Sequence, residues 1–339
     1  VAAPGNFGVY GYGFAAGAGA NREDLLDLIT NIDPWDTPWV SQAPKVRAMH
    51  TVHEWLTDTL AATSTATGAG GVVAVEGDDW AYNTLTTRPV RITNNTMIFR
   101  KDIAVSETQR AVNPAGFKDA YAYEIAKGTK ELARDMEVWF FHGNASASVT
   151  GSSAAARYAL GFQGFISTTA AAGRNVSNLG TATNNSGVLT QGNFNDALQD
   201  AYSNGGNPES CYVSPAIKRQ ISAFTVSQQN RNIAAIEQRL VNSIDDYISD
   251  FGVVHVVLDR WVPQAGSTST ATAQATDTSG NMFFLERAKN RLAWLRPMQH
   301  TLIGKRGDSV AGTILGEVTL EVLNARANYR IARVSNVTA

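Results

Sequence analysis

The sequence predicts an α+β protein in which an extended β-ribbon and one long helix carry the stretch from Val46 to Asn144 with little globular wrapping. Three observations predict it. HTVHEWLTDTL (50–60) alternates and is rich in Thr, Val and Trp, the pattern of a strand. VRITNNTMIFRKDIAVS (90–106) reads the same way, with a phase break at Asn94-Asn95 that suits a bulge. Phe117, Tyr121, Ile125, Leu132, Met136 and Phe140 then recur at helical spacing.

Along the chain, residues 1–20 form a Gly/Ala/aromatic arm without periodicity. Asn21 caps a short helix with Leu25, Leu28 and Ile29 on one face, and IDPWDTPW ends it, because each Pro disfavours helix at the residue before it. The ribbon follows. Its two strands are joined by AATSTATGAGGVVAVEGDDWAYN, too rich in Gly, Ala and Thr to pack a core of its own. A lone two-stranded ribbon is marginal in water, so neighbouring copies of the chain are expected to cover it. Asn113-Pro114 marks the start of the long helix, which runs to His142 and spans roughly 43 Å at the standard rise. Gly128 weakens it by about 1 kcal/mol relative to Ala, and Lys127, Glu131 and Arg134 are expected to pair on its surface.

Beyond Gly143 the composition drifts to Ala, Ser, Thr, Asn and Gly until a compact α/β unit begins. Thr190 caps a helix carrying Phe194, Leu198 and Tyr202, which Gly205-Gly206 ends. CYV is a short buried strand, and Ser214-Pro215 opens a second helix. DDYISDFGVVHVVLDRW (245–261) reads as a hairpin with a buried second strand. AGSTSTATAQATDTSGN (265–281) is an exposed low-complexity loop. MFFLE, RLAWLRPM and EVTLEVLNARANYRIARV give a final run of strands.

The 339 residues are 44% hydrophobic and only 17% charged, with a net charge of −2. So little surface charge suits a chain that hides much of itself against partners, although an extracellular or Ser/Thr-rich chain looks similar, and the balance argues against a dedicated nucleic-acid binder. Cys211 is the single cysteine, which excludes an intrachain disulfide, and its apolar neighbours mark it as an inert strand residue. No run approaches the length of a membrane span. VAAPGNFGVYGYG lacks the charged and apolar regions of a signal peptide, so Val1 is expected to follow either a removed initiator Met or a trimmed precursor segment.

Catalytic and ligand motifs fare poorly. His50-x-x-His53-Glu54 matches no zinc-protease order, and residues three apart on a strand face opposite sides. Gly11-Tyr-Gly13-Phe-Ala-Ala16 has no strand before it and no helix directly after it, so it is a glycine-rich arm and not a dinucleotide site. No catalytic residue, cofactor or metal ligand is expected. Glu76, Asp78 and Asp79 at the ribbon tip, with Trp80 and Tyr82 beside them, are expected instead to contact a neighbouring subunit, since aromatics dominate interface energetics. Tyr10, Tyr12 and Phe14 in the arm are expected to do the same.

With these residues laid out, the chain resembles the major capsid proteins of tailed bacteriophages with the Hong Kong ninety-seven fold. The likeness runs from about residue 21 to 330. It rests on the order and spacing of REDLLDLITNIDPWDTP, HEWLTDTL, VEGDDW, IFRKDIAVSETQRAV, KELARDMEV, GSSAAAR, LGFQGF, GGNPESCYVSPAIKRQI, DYISDFGVVHVV, LAWLRPM and GEVTLEVLNARA. The resemblance implies an arm and short helix at 1–45 and an extended loop at 46–106. It further implies a peripheral domain at 107–154 and 296–339, with a spine helix at 113–142, and an axial domain at 155–295. It implies a non-enzymatic protein of the virion, assembled in the host cytoplasm into hexamers and pentamers of an icosahedral shell. Scaffolding, portal and cement proteins are the implied partners, with non-specific contact to packaged double-stranded DNA and none to membrane. The prototype of the fold welds its subunits through a Lys in the extended loop. Residues 61–86 contain no Lys, the nearest being Lys45 and Lys101, so a shell without that crosslink is expected. An encapsulin-like compartment of the same fold and a secreted carbohydrate-binding protein are the alternatives.

Overall fold

The computed structural model describes residues 31–60, 72–73, 76–77, 88–112, 116–143, 148–166, 176–179, 187–227, 245–263, 280–305 and 307–334. Among these, β1 (Lys45–Arg47), β10 (Asn290–Ile303), β11 (Ser309–Val322) and β4 (Met97–Ser106) form a four-stranded sheet in that order. A six-stranded sheet runs β5 (Val176–Asn178), β12 (Tyr329–Val334), β9 (Gly280–Leu285), β6 (Ser210–Val213), β8 (Gly252–Leu258) and β7 (Asp246–Ser249). The ribbon is a two-stranded sheet of its own, β2 (Val52–Thr57) against β3 (Val90–Asn95), antiparallel.

Two short helices, α1 (Pro38–Gln42) and α2 (Glu107–Ala111), flank these strands before the long helix α3 (Ala120–His142). The long helix starts later than Asn113-Pro114 suggests. Asp119 is its cap, the side chain accepting from Tyr121 N at 2.9 Å, and Gly116 just ahead of it sits at φ +89°, outside the helical region. Residues 113–115 lie outside the described residues. From Ala120 the sequence periodicity holds: Tyr121, Leu132, Met136, Phe140 and Phe141 are buried, with Ile125 half-buried. Gly128 weakens the isolated helix, but it lets α3 approach β4 and β11. A Cβ there would lie 3.3 Å from Ile314 Cδ1 and 3.4 Å from Ile103 Cδ1. The charges on α3 pair differently from expectation. Glu131 bonds to Lys101 on β4, which lowers its pKa, while Lys127 lies near Glu124 and Arg134 near Asp135.

The C-terminal end of α3 fills the junction between the sheets. Phe141 packs against Phe283 of β9 at 5.3 Å between ring centroids, and Trp39 of α1 meets Phe162 edge-on at 4.9 Å. Phe162 belongs to the one-turn helix α4 (Phe162–Phe165). A second core lies on the other face of the six-stranded sheet, under α5 (Gln191–Ser203) and α6 (Pro215–Ser227). The sequence reading of this unit holds closely. Thr190 caps α5 by accepting from Asn193 N at 3.2 Å, Gly205 follows its end at φ +79°, and Cys211 is fully buried on β6. In β9 alternate residues serve the two cores, Phe283 and Leu285 one, Met282 and Phe284 the other.

Three placements differ from the sequence reading. β8 is half-buried, with Val254 and Val256 inside but Val253 and Leu258 about half exposed. β12 joins the six-stranded sheet through β9 and β5, whereas 296–335 reads as a single return to the other sheet. The phase break at Asn94-Asn95 is a change of sheet and not a bulge. The chain leaves the ribbon at Asn95, and from Met97 β4 pairs along β11, so among the described residues of 46–106 ribbon pairing joins β2 to β3 alone.

Candidate assembly surface

Strand alternation decides which ribbon side chains meet the body. His53 and Trp55 on β2 pair in register with Asn94 and Ile92 on β3, and these residues share the inward face. The Trp55 indole donates to Val322 O at 3.0 Å, and its ring lies 5.9 Å from that of Phe165. His53 Nε2 and Glu321 Oε2 are 2.9 Å apart. The Asn94 amide donates to Leu320 O at 2.8 Å and to Leu160 O at 3.2 Å, and its oxygen accepts from Leu160 N at 2.8 Å.

Where the ribbon turns into the sheet, Thr96 Oγ1 donates to Glu317 Oε1 at 2.7 Å. Glu317 is 3% exposed and also receives the guanidinium groups of Arg157 and Arg296. A buried carboxylate is costly unless paired and hydrogen-bonded, and this one is both. The base of the ribbon is therefore locked to the body by polar groups with little freedom to shift.

Among the described residues, the other face and the outer end of the strands lack such cover. Leu56, next to Trp55 and pointing the opposite way, is 67% exposed; Leu60 is 98% exposed and Val90 62% exposed. Met49, Val72 and Val73 are also exposed, and the Glu54–Arg91 ion pair at 3.3 Å lies on the outward face of the ribbon beside Leu56. Further apolar exposure occurs at Ile248 on the edge strand β7, in register with Val253, and at Leu302 and Ile303 near the end of β10. Large apolar side chains left exposed in this number suit contact with other molecules.

Of the residues singled out from the sequence, Glu76 is described and exposed. Tyr10, Tyr12, Phe14, Asp78, Asp79, Trp80 and Tyr82 lie outside the described residues. Leu56, Leu60 and Met49 were not singled out, although alternation around Trp55 marks Leu56 as outward-facing. Cys211 is enclosed and burial pushes its thiol well up, so the thiolate a nucleophile needs is disfavoured. Among the described residues no group of three His, Cys, Asp or Glu side chains is placed to hold a metal ion, and no helix is long and apolar enough to cross a membrane.

A family model decides where the chain belongs: that of the SU10 major capsid protein matches residues 9–335. The chain belongs to the SU10 major capsid protein family. The major capsid protein of Escherichia phage Phieco32 is 31% identical over 126 residues, 37% of this chain and 34% of that protein, so the match spans about a third of that relative's length. Solved structures are alike over nearly the whole chain. The mature capsid of bacteriophage PhiM1 superposes with a TM-score of 0.61 at 11% identity, covering 94% of each chain. A structure from Mycobacterium phage Ogopogo gives 0.57 at 14% identity, covering 92% of this chain and 96% of that one. The holo-SrpI encapsulin complex of Synechococcus elongatus gives 0.52 at 11% identity, with 94% of each chain covered. At such identities the likeness establishes the fold, which is the Hong Kong ninety-seven capsid fold.

Proposed function

We propose that this chain is the structural subunit of a tailed-bacteriophage head, which assembles into hexamers and pentamers of an icosahedral shell around double-stranded DNA and catalyses no reaction. The ribbon carries this reading. It is locked to its own subunit at the base, with exposed Leu60 and Val90 at its outer end and Leu56 uncovered on its outward face. A neighbouring copy laid against that face supplies the apolar cover that a two-stranded ribbon needs.

In this reading the six-stranded sheet with α5 and α6 is the axial domain, gathered around the symmetry axes, and the four-stranded sheet with α3 is the peripheral domain. The arm residues Tyr10, Tyr12 and Phe14 and the tip residues Glu76, Asp78, Asp79, Trp80 and Tyr82 make contacts between subunits. Scaffolding, portal and cement proteins complete the particle, and DNA is touched without sequence preference. Because 61–86 lacks Lys, subunits are held without a Lys crosslink from this loop, and particles boiled in detergent should run as single chains. A ladder of covalent multimers on a denaturing gel would show this part of the reading to be wrong.

The likeness to an encapsulin supports a second reading, a compartment that holds protein cargo in place of a genome. Gene neighbours separate the two: portal, terminase and tail genes belong with a phage head, a dedicated cargo enzyme with a compartment. Deleting 62–85 tests the mechanism common to both. The shortened chain should remain a soluble subunit that forms no stable shells, and normal shells would refute the role of the ribbon.

A further inference from the structure

Two acids lie buried where α1, α3 and the turn after β8 meet. Glu137 on α3 is fully enclosed and Asp259 is 1% exposed. The two oxygens of Glu137 accept the backbone N–H groups of Trp39 and Val40, at 2.8 and 2.7 Å, so this side chain caps α1 from outside. Asp259 Oδ1 accepts from Trp261 N at 2.8 Å, and its Oδ2 is buried without a donor. The carboxyl groups of Glu137 and Asp259 are within hydrogen-bonding reach of each other. As two carboxylates they would repel and leave that oxygen orphaned. As a carboxyl and a carboxylate they satisfy each other through one proton.

The surroundings favour retention of that proton. Burial, with the repulsion between the acids, pushes Glu137 up to about 8, and burial pushes Asp259 up to about 6. Among the described residues, what acts on the two acids is chiefly burial, the other acid and the backbone N–H groups of Trp39, Val40 and Trp261. On α3, burial holds His142 towards its neutral form, and the Arg134 guanidinium lies 5.5 Å from the Trp261 ring centroid. On the turn, Arg260 faces Asp36 at 3.9 Å. From β6 comes Tyr212, whose phenol burial and the two acids push upward, while the enclosed thiol of Cys211 faces the other core; Arg287 acts on Tyr212 from beyond β9. The same turn grips the segment entering α1, since the Trp261 indole donates to Asp36 O at 2.7 Å.

We propose that Glu137 and Asp259 share a single proton at neutral pH and form a pH-sensitive clasp on residues 36–43, closed while the proton is held and opened when it is lost. The sign follows from linkage. The closed clasp holds protons at pH values where the free carboxyls, at 4.5 and 3.8, have released them. Docking is therefore firmest in acid and weakens as pH rises, until Glu137 is ionised above about 8. This concerns the chain's own segment and stands whether or not the chain forms shells.

Hydrogen–deuterium exchange on the full chain tests it, with each amide rate divided by its intrinsic rate. Protection of the Trp39 and Val40 amides should fall about tenfold per pH unit between roughly pH 6 and 8, while protection in β9 stays level. Asp259→Asn supplies a permanent donor to Glu137 and should flatten that fall; Glu137→Gln should do the same and serves if the first variant does not fold. An infrared band of a protonated carboxyl, present in the unaltered protein at neutral pH and lost in mild alkali, is the readout that needs no variant. Protection independent of pH, an undiminished fall in the variants, or no such band would overturn the clasp.

Discussion

β9 and the ribbon β2–β3 are both made of strands six residues long, yet they are stabilised in opposite ways. In β9 every residue is buried, with Phe283 and Leu285 in one core and Met282 and Phe284 in the other. In the ribbon, among the described residues, one face is covered near its base, through Trp55, His53 and Asn94 on the body. Burying a large apolar side chain contributes about 1.5–3 kcal/mol, so β9 draws its stability from within the subunit. Leu56, Leu60 and Val90 contribute nothing of the kind until something outside covers them. One region makes the subunit, and in the function proposed above the other is finished by contact with a neighbouring copy.

Substitutions can break this contrast at graded strength. Phe141→Ala should cost about 3–5 kcal/mol, because the ring joins α3 to Trp39, Phe162, Tyr212 and Phe283. Its denaturation midpoint should fall sharply, with both sheets lost together. Gly206→Ala should cost about 1–3 kcal/mol, since the new Cβ would sit 2.4 Å from the Ala327 backbone, which has no rotamer with which to yield.

Asn94→Ala sharpens the comparison. It removes the bonds to Leu160 and Leu320 and should cost about 1–3 kcal/mol for each buried group left unpaired, felt mainly in the ribbon. Hydrogen exchange should rise in β2 and β3 while β9 keeps its protection; equal loosening of both would mean that the ribbon is no separate unit. Leu56→Asp has the smallest effect on the subunit, within about 0.5 kcal/mol, because this side chain is exposed. Its effect should appear in particle yield instead, and unchanged yield would clear Leu56 of any part in assembly.

What could be read from the sequence was whatever local pattern carries. Alternation around Trp55, the spacing of Tyr121, Leu132, Met136 and Phe140, the Thr190 cap and the Ser214-Pro215 helix start all act within a few residues, and each is found where the pattern places it. Sheet membership is not local. β4 and β12 look like strands in any sheet, and only pairing with β11 and with β9 assigns them.

Glu137 shows a second kind of blindness. On a long helix a Glu reads as a solvated charge, and its burial arises because α1, nearly a hundred residues earlier in the chain, brings two unpaired backbone N–H groups to it. Of the expected contact residues, Glu76 is exposed, and the others lie outside the described residues. The outward position of Leu56 follows from alternation once the inward role of Trp55 is known.

The most direct test of the central claim is to express the full chain alone, size it by light scattering and image it by electron microscopy. Closed shells or capsomer-sized rings are the predicted result. A monomer that never assembles, even under crowding or with added scaffold, would contradict it.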